Sequence, residues 1–146
     1  KLQLLYSRER FYVPSNVYLI GLMNTADRSL ALLDYALRRR FAFFTLNPGF
    51  SSAGFTRYRE AAGSTAFDNL VACVVRLNTE IASDESLGEG FMIGHSYFCG
   101  FVGGTVDHAS LSAIIEYELI PMLGEYWFDD QEKIRVWSEA LRRSIQ

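Results

Sequence analysis

The stretch NVYLIGLMNTADRSLALLDYALRRRF, residues 16–41, constrains the fold more than any other part of the chain. Within it, residues 17–23 form a continuous apolar run of strand length, which ends in the polar residues 24–28. A short apolar run without alternation is typical of a strand that is buried on both faces, as in a parallel α/β sheet. The stretch therefore predicts an inner strand with a polar loop at its carboxyl end.

The residues after this loop predict the rest of a crossover unit. Apolar side chains recur at helical spacing over residues 30–41, with Ser29 or Asp34 as candidate caps. Residues 41–46, FAFFTL, predict a second strand, which the sequence NPG stops. Residues 16–46 thus predict a strand, a loop, a helix and a strand, which is the repeating unit of an α/β sheet.

The second part of the chain predicts helices and no further sheet. Apolar side chains at helical spacing predict three helices, over residues 66–82, over residues 111–122 and from about residue 130. Asp107 is a candidate cap of the second of these helices, and Pro121 predicts a kink or a break within it. Residues 91–101 are rich in aromatic residues and glycine, and they favour no single structure.

Composition limits the class of protein. With 146 residues, 49% hydrophobic and 21% charged, the chain can form one globular domain, or one and a fraction. A net charge of −3 argues against a protein whose whole surface binds nucleic acid. No apolar run approaches the roughly 20 residues of a membrane span, so we expect a cytoplasmic protein without membrane contact. Cys73 and Cys99 lack the spacing of metal ligands and predict free thiols, and no metal site is predicted.

Polar side chains follow the predicted inner strand at the edge where open α/β sheets bind ligands. They are Asn24, Thr25, Asp27 and Arg28. An amide and a carboxylate at this point could orient a water for attack on a phosphate. Asp27 could equally cap a helix, and Arg28 could be a solvated charge.

Three consecutive arginines, Arg38, Arg39 and Arg40, end the predicted helix. Neighbouring residues on a helix point about 100° apart, so the three side chains cannot share one target. Arg38 lies four residues after Asp34 and could pair with it, whereas Arg39 and Arg40 have no such local explanation. Their guanidinium groups suit phosphate, although a solvated cluster favoured by the helix dipole explains them equally well.

Taken together, these residues resemble a known family. The segment MNTADRSLALLDYALRRRF, residues 23–41, is similar to the signature region of the McrB-type GTPases, the AAA+ motor subunits of 5-methylcytosine-specific restriction systems. The segments GFMIGHSYF, residues 90–98, and IIEYELIPMLGEYWFDD, residues 114–130, resemble the C-terminal helical region of that family. The resemblance covers most of the chain from residue 16 to about residue 130.

This resemblance implies roles for the polar residues after the inner strand. Residues 17–23 would be the sensor-1 strand, and Asn24 would sense the γ-phosphate and help to position the attacking water. Thr25 and Asp27 would belong to the same catalytic loop, and Arg28 would contact the nucleotide.

Further roles follow for residues on the helices. Arg39 and Arg40 would be arginine fingers that reach into the nucleotide site of the adjacent subunit. The helical part would form a lid over the nucleotide, where His95 and Ser96 are the polar candidates. Both side chains could instead form all their hydrogen bonds locally, within a turn.

The resemblance also implies GTP, or ATP in a close relative, together with Mg²⁺. The sequence contains no P-loop of the form GxxxxGK[ST] and no acidic strand end for Mg²⁺, and in this family both lie upstream of sensor 1. We therefore expect the C-terminal part of an AAA+ module, with no nucleotide bound or hydrolysed by this chain alone.

The expected fold is α+β and mainly helical. Residues 1–49 would form a short α/β sheet remnant of an AAA+ core, and residues 50–146 an all-helical lid subdomain. An exposed sheet edge predicts self-association, and the resemblance implies a ring, an McrC-like nuclease subunit and DNA bound through a separate domain. A non-catalytic, AAA-like assembly module and an ATP-using relative are the alternative hypotheses.

Overall fold

The computed structural model describes residues 2–24, 35–101 and 106–146. The strands within these residues are β1 (Leu2–Gln3) and β2 (Arg10–Phe11). The α-helices are α1 (Tyr35–Arg38), α2 (Ala53–Ala62), α3 (Thr65–Ser83), α4 (His108–Ile114), α5 (Ile120–Tyr126) and α6 (Gln131–Ser144). Two 3₁₀ turns span Glu89–Phe91 and His95–Phe98, and a π-helical turn, Ile115–Leu119, joins α4 to α5. The part of the chain that the structure describes is therefore mainly helical.

The small sheet is an antiparallel hairpin near the start of the chain. Leu2 pairs with Phe11, and Gln3 pairs with Arg10. The connecting turn is closed by the Leu4 N–H, which donates to the Glu9 carbonyl at 2.9 Å. This hairpin differs from the parallel sheet that the sequence predicts.

The structure corrects the prediction of strands over residues 17–23 and 41–46, because both segments are irregular. Their apolar side chains are largely uncovered, with Tyr18 87%, Ile20 92% and Phe44 87% exposed. A strand buried on both faces needs neighbouring strands for its N–H and C=O groups and other elements over its side chains. The described residues supply neither next to these two segments, which explains why the apolar pattern alone did not produce a sheet.

The predicted helices of the second part are confirmed, with one addition and one correction. The helices expected over residues 66–82 and from about residue 130 are α3 and α6. Helix α2 was not predicted, and the single helix expected over residues 111–122 is divided into α4, the π-helical turn and α5. Of the helix predicted over residues 30–40, residues 35–38 are helical, and residues 30–34 lie outside the described part.

Local capping explains where several of these helices begin. The Asp130 carboxylate accepts a hydrogen bond from the Lys133 N–H at 2.9 Å, and the predicted cap Asp107 accepts one from the Ser110 N–H at 2.7 Å. The Ser52 hydroxyl accepts from the Phe55 N–H at 3.2 Å at the start of α2. Each bond satisfies an N–H that has no partner within the first turn of a helix.

The hydrophobic core lies within the helical part. Among the described residues, every buried hydrophobic side chain falls between Phe55 and Ile145. Helix α3 is its centre, because it packs against α6 on one side and against the 3₁₀ turn Glu89–Phe91 on another. None of the helices in the described ranges is long and apolar enough to cross a membrane.

Candidate functional site

An open cleft of about 560 Å³ lies between residues 45–48 and the turns of residues 87–96. Its walls combine apolar and polar side chains, among them Leu46, Pro48, Leu87, Glu89, His95 and Ser96. The cleft thus brings together two segments that are about 40 residues apart in the sequence. It also contains both lid residues that the sequence singles out, His95 and Ser96.

His95 is held in place by the backbone of the opposite wall. The Gly49 N–H donates to His95 Nδ1 at 3.0 Å. The imidazole ring also packs edge-on against Phe55 and Phe50, with ring centroids 5.5 Å and 6.2 Å away. Because Nδ1 accepts a hydrogen bond, neutral His95 carries its proton on Nε2, which becomes a hydrogen-bond donor.

The lack of a side chain at Gly49 allows this close contact. A Cβ built on Gly49 would lie 3.0 Å from His95 Cε1 and 3.3 Å from both ring nitrogens. Such a separation is shorter than a normal van der Waals contact, so the ring would have to move. The NPG sequence that was expected only to stop a strand therefore also permits the approach of backbone and imidazole.

The other wall of the cleft is attached to α3 through a buried amide. Asn78 is 6% exposed, and its Oδ1 accepts from the Ile93 N–H at 2.7 Å while its Nδ2 donates to the Ile93 carbonyl at 2.9 Å. Both polar groups of one irregular residue are thereby satisfied by a single side chain. This bond pair fixes the segment between the two 3₁₀ turns.

Tyr126 supports the same wall from α5. Its hydroxyl donates to the Phe91 carbonyl at 3.0 Å, and its ring meets the Phe91 ring edge-on with centroids 5.4 Å apart. Burial is the main cause that raises the pKa of the Tyr126 hydroxyl, so Tyr126 remains a donor at neutral pH. The turn Glu89–Phe91 is therefore held from α3 and α5 together.

A polar network anchors the chain where it leaves α3 toward the cleft. The Asp84 carboxylate accepts hydrogen bonds from the Ser86 hydroxyl at 2.6 Å, Trp127 Nε1–H at 2.8 Å and Lys133 Nζ at 3.0 Å. These bonds, the one from Ser86 foremost, hold the pKa of Asp84 far below its usual range. Lys133 also pairs with Glu80 at 3.0 Å. The network connects the end of α3 to the start of α6.

The remaining predicted site residues lie elsewhere. Asn24 is exposed at the end of the described segment 2–24, and Arg39 and Arg40 are exposed directly after α1. None of these three lines the cleft. Thr25, Asp27 and Arg28 lie outside the described residues. The catalytic roles expected for all of them stay predictions.

Other residues in and behind the walls of the cleft were not anticipated from the sequence. Glu89 lines the cleft, and Gly49 and Asn78 hold its walls through contacts with distant parts of the chain. A buried position for Asn78 was detectable, because it lies four residues after Val74 and three before Ile81 on the apolar side of α3. Within the described ranges, no group of three or more His, Cys, Asp or Glu side chains is placed to hold a metal ion.

Comparison with known proteins defines the class of this helical unit. The family model described as the McrB α-helical lid domain matches residues 69–135, from within α3 into α6. The chain is also 49% identical over 138 residues to the type IV methyl-directed restriction enzyme EcoKMcrB subunit of Escherichia coli strain K12. The aligned part covers 91% of this chain and 30% of that relative.

These two findings show that the chain belongs to the McrB-type family. It spans about 30% of the length of the curated relative that it matches. The turns of residues 87–96, which form one wall of the cleft, thus lie within the part of the chain that matches the McrB α-helical lid domain.

Proposed function

We propose that this chain is the sensor-1, arginine-finger and lid portion of a GTP-hydrolysing AAA+ subunit in a modification-dependent DNA restriction system. The observation that supports the proposal best is the cleft between residues 45–48 and the lid, with His95 fixed on its wall. A lid closes over a nucleotide from one side. Its binding groups must therefore face the segment that connects the lid to the nucleotide-binding AAA+ core. The cleft lies at such a connection.

The lid offers hydrogen-bond donors to an anionic ligand. His95 Nε2–H and the Ser96 hydroxyl belong to adjacent residues that line the cleft. Nδ1 of His95 is already occupied by the Gly49 N–H, so the donor tautomer is prepared before a ligand arrives. Donors held in place in this way stabilise negative charge at little reorganisation cost, which suits phosphate oxygens.

The proposed reaction is hydrolysis of the β–γ phosphoanhydride bond. Asn24 would orient the attacking water, with Thr25 and Asp27 in the same loop and Arg28 at the nucleotide. Arg39 and Arg40 would act on the nucleotide of an adjacent subunit, where a guanidinium stabilises transition-state charge. The P-loop and the Mg²⁺ ligands would come from residues outside this sequence, which contains no GxxxxGK[ST] motif.

The proposal includes an assembly as well as a reaction. Arginine fingers that act on a neighbour require a ring or another closed oligomer of AAA+ subunits. An McrC-like subunit would supply the nuclease, and a separate domain would bind the modified DNA. The Escherichia coli relative supports the restriction system, since it is itself a subunit of a methyl-directed restriction enzyme.

Nucleotide hydrolysis by the full-length subunit that carries this chain tests the proposal. We expect GTP turnover that falls at least 100-fold in Arg40→Ala, in line with the usual contribution of an arginine finger. Mixing Arg40→Ala with a P-loop variant should restore part of the turnover, because each supplies what the other lacks at a shared site. Arg57→Ala, which removes an exposed arginine of α2, is the matched control and should leave turnover unchanged.

Other results would support the alternatives. Turnover of ATP in preference to GTP would identify an ATP-using relative. Absence of turnover with either nucleotide would favour a non-catalytic assembly module, as would a full-length subunit without a P-loop.

A further inference from the structure

Glu89 has a distinctive position in the cleft. It is the one carboxylate among the described residues that line the cleft. It is exposed, and no hydrogen bond or ion pair joins its carboxylate to another residue of the described ranges. Apolar side chains line the same cleft, and one of them, Leu46, is 86% exposed. The cleft therefore combines uncovered apolar surface with an acceptor group that has no partner among the described residues.

The turn that carries Glu89 is rigidly supported. Gly88 adopts φ 82°, a left-handed conformation that favours glycine, directly before it. The Phe91 N–H donates to the Gly88 carbonyl at 3.1 Å, and the Met92 N–H donates to the Glu89 carbonyl at 3.3 Å. Asn78 holds Ile93, two residues after the end of this turn, so the backbone on the C-terminal side of the turn is also fixed. A binding group on a supported turn can discriminate between ligands.

A carboxylate recognises two neighbouring donors best, because its two oxygens accept parallel hydrogen bonds. The Watson–Crick edge of guanine presents such a pair, N1–H and the 2-amino group. Adenine presents an unprotonated N1 at the corresponding position, whose lone pair a carboxylate repels. The uncovered apolar wall suits the face of either purine, so the carboxylate is the group that can distinguish them.

We propose that Glu89 reads the base of the nucleotide and selects guanine over adenine. The inference rests on the proposed function, since it assigns a specificity residue to the same cleft. His95 and Ser96 would then donate to the phosphates and Glu89 would accept from the base, since all three residues line the same cleft. Base selection by this chain would then lie in the lid turn Glu89–Phe91.

Equilibrium binding of fluorescent GTP, ITP, XTP and ATP analogues to the full-length subunit tests this assignment. ITP lacks the 2-amino group, so wild-type protein should bind it about 10-fold more weakly than GTP. XTP carries a carbonyl in place of that amino group, and a carboxylate should reject it. The Glu89→Gln variant should therefore bind GTP about 10-fold to 100-fold more weakly than wild type. It should bind XTP more tightly than wild type, since the glutamine amide can donate to the XTP carbonyl that replaces the 2-amino group.

Matched variants separate base recognition from loss of charge or fold. Glu85→Gln changes an exposed glutamate four residues away that does not line the cleft, and it should leave all four affinities unchanged. Glu89→Asp keeps the carboxylate on a shorter side chain, so it should weaken GTP binding without increasing XTP binding. Thermal unfolding of each variant would show whether the fold is retained.

The possible outcomes distinguish this inference from the proposed function. Wild-type protein that binds GTP and ITP equally, or a Glu89→Gln variant with an unchanged GTP to XTP ratio, would overturn the role of Glu89 alone. Wild-type protein that binds none of the four nucleotides would overturn both the role of Glu89 and the proposed function.

Discussion

At Gly49 the absence of a Cβ lets the His95 ring lie directly against the backbone. The ring cannot easily retreat, because Phe50 and Phe55 contact it from other directions. We expect Gly49→Ala to lower the free energy of unfolding by about 1 to 3 kcal/mol, the usual cost of overpacking a well-packed site. Chemical denaturation of the wild-type and variant chains measures the difference.

Gly124 is the matched control for this prediction. It lies within α5, and a Cβ added there meets nothing within 4 Å. Gly124→Ala should raise the free energy of unfolding by about 0.5 to 1 kcal/mol, because alanine favours the helix. If both substitutions stabilised the chain, the close contact between Gly49 and His95 would not exist in solution.

Asn78 also acts as a single residue, through the hydrogen bonds of its side-chain amide. Its amide satisfies both the N–H and the carbonyl of Ile93, which are buried and would otherwise be unpaired. Leaving such groups without partners costs about 1 to 3 kcal/mol each. One residue of α3 thus determines the path of a segment 15 residues further along the chain.

At the scale of elements, the π-helical turn keeps one apolar stripe facing the core. Buried side chains recur at every fourth residue from α4 to α5, namely Leu111, Ile115, Leu119, Leu123 and Trp127. In a regular α-helix each step of four residues drifts by about 40°, so the stripe would rotate out of the core. The wider turn, closed by the Ile120 N–H to the Ile115 carbonyl, offsets part of this drift.

Pro121 is compatible with this wide turn. Proline has no N–H, and in a regular α-helix its ring would clash with the carbonyl four residues earlier, that of Tyr117. The structure widens the turn just before Pro121 where the sequence predicted a kink or a break. Buried residues on both sides of the proline thereby remain in one core.

The Asp84 network makes the contact between α3 and α6 sensitive to acid. Because the pKa of Asp84 is lower in the folded chain than in the unfolded chain, its carboxylate stabilises the fold above the unfolded value of about 4. This stabilisation is lost as the pH falls below about 4 toward the folded value. We expect Asp84→Asn to lower the free energy of unfolding at pH 7 by about 1 to 3 kcal/mol, since bonds to the charge are lost.

Urea unfolding at several pH values tests this expectation. The difference between wild type and Asp84→Asn should shrink as the pH falls from about 4 toward 2. Asp130→Asn is the control, because it changes a nearby carboxylate whose role is to cap α6, and asparagine caps helices equally well. A difference between wild type and Asp84→Asn that is constant with pH would contradict the role of the charge.

At the scale of the whole molecule, the buried core that stabilises the fold and the exposed apolar surface lie in different parts of the chain. Every side chain of residues 2–24 and 38–47 is exposed, whereas the core begins at Phe55. We expect residues 47–146 alone to unfold within about 2 to 4 °C of the full chain of 146 residues, because little buried surface is removed. Differential scanning calorimetry makes the comparison.

The same truncation should change association. The apolar side chains of residues 17–23 and 41–46 are uncovered, and apolar surface of this kind favours contact between chains. Sedimentation should therefore show oligomers of the full 146-residue chain and monomers of residues 47–146. A monomeric full chain would contradict this prediction and the expectation of self-association.

Much of the helical part could be predicted because its signals are local. The apolar stripe of α3 and the caps Asp107 and Asp130 lie within a few residues of the helices that they define. Helix α2 was missed although Ser52 and Gly63 flank it, because only Phe55 of its residues is buried and its periodicity is weak. Predictions of strands failed for the converse reason, since a strand depends on partners that sequence periodicity does not reveal.

The sequence by itself determined α3, α6, the cap Asp107 and the motif that resembles the family, because each depends on residues close together along the chain. The tertiary structure alone decided that residues 17–23 form no strand and that Gly49 meets His95 across 46 residues of chain. Only it could place Glu89 beside an uncovered apolar wall. Such contacts depend on which surfaces are buried together, and local residue patterns do not specify that.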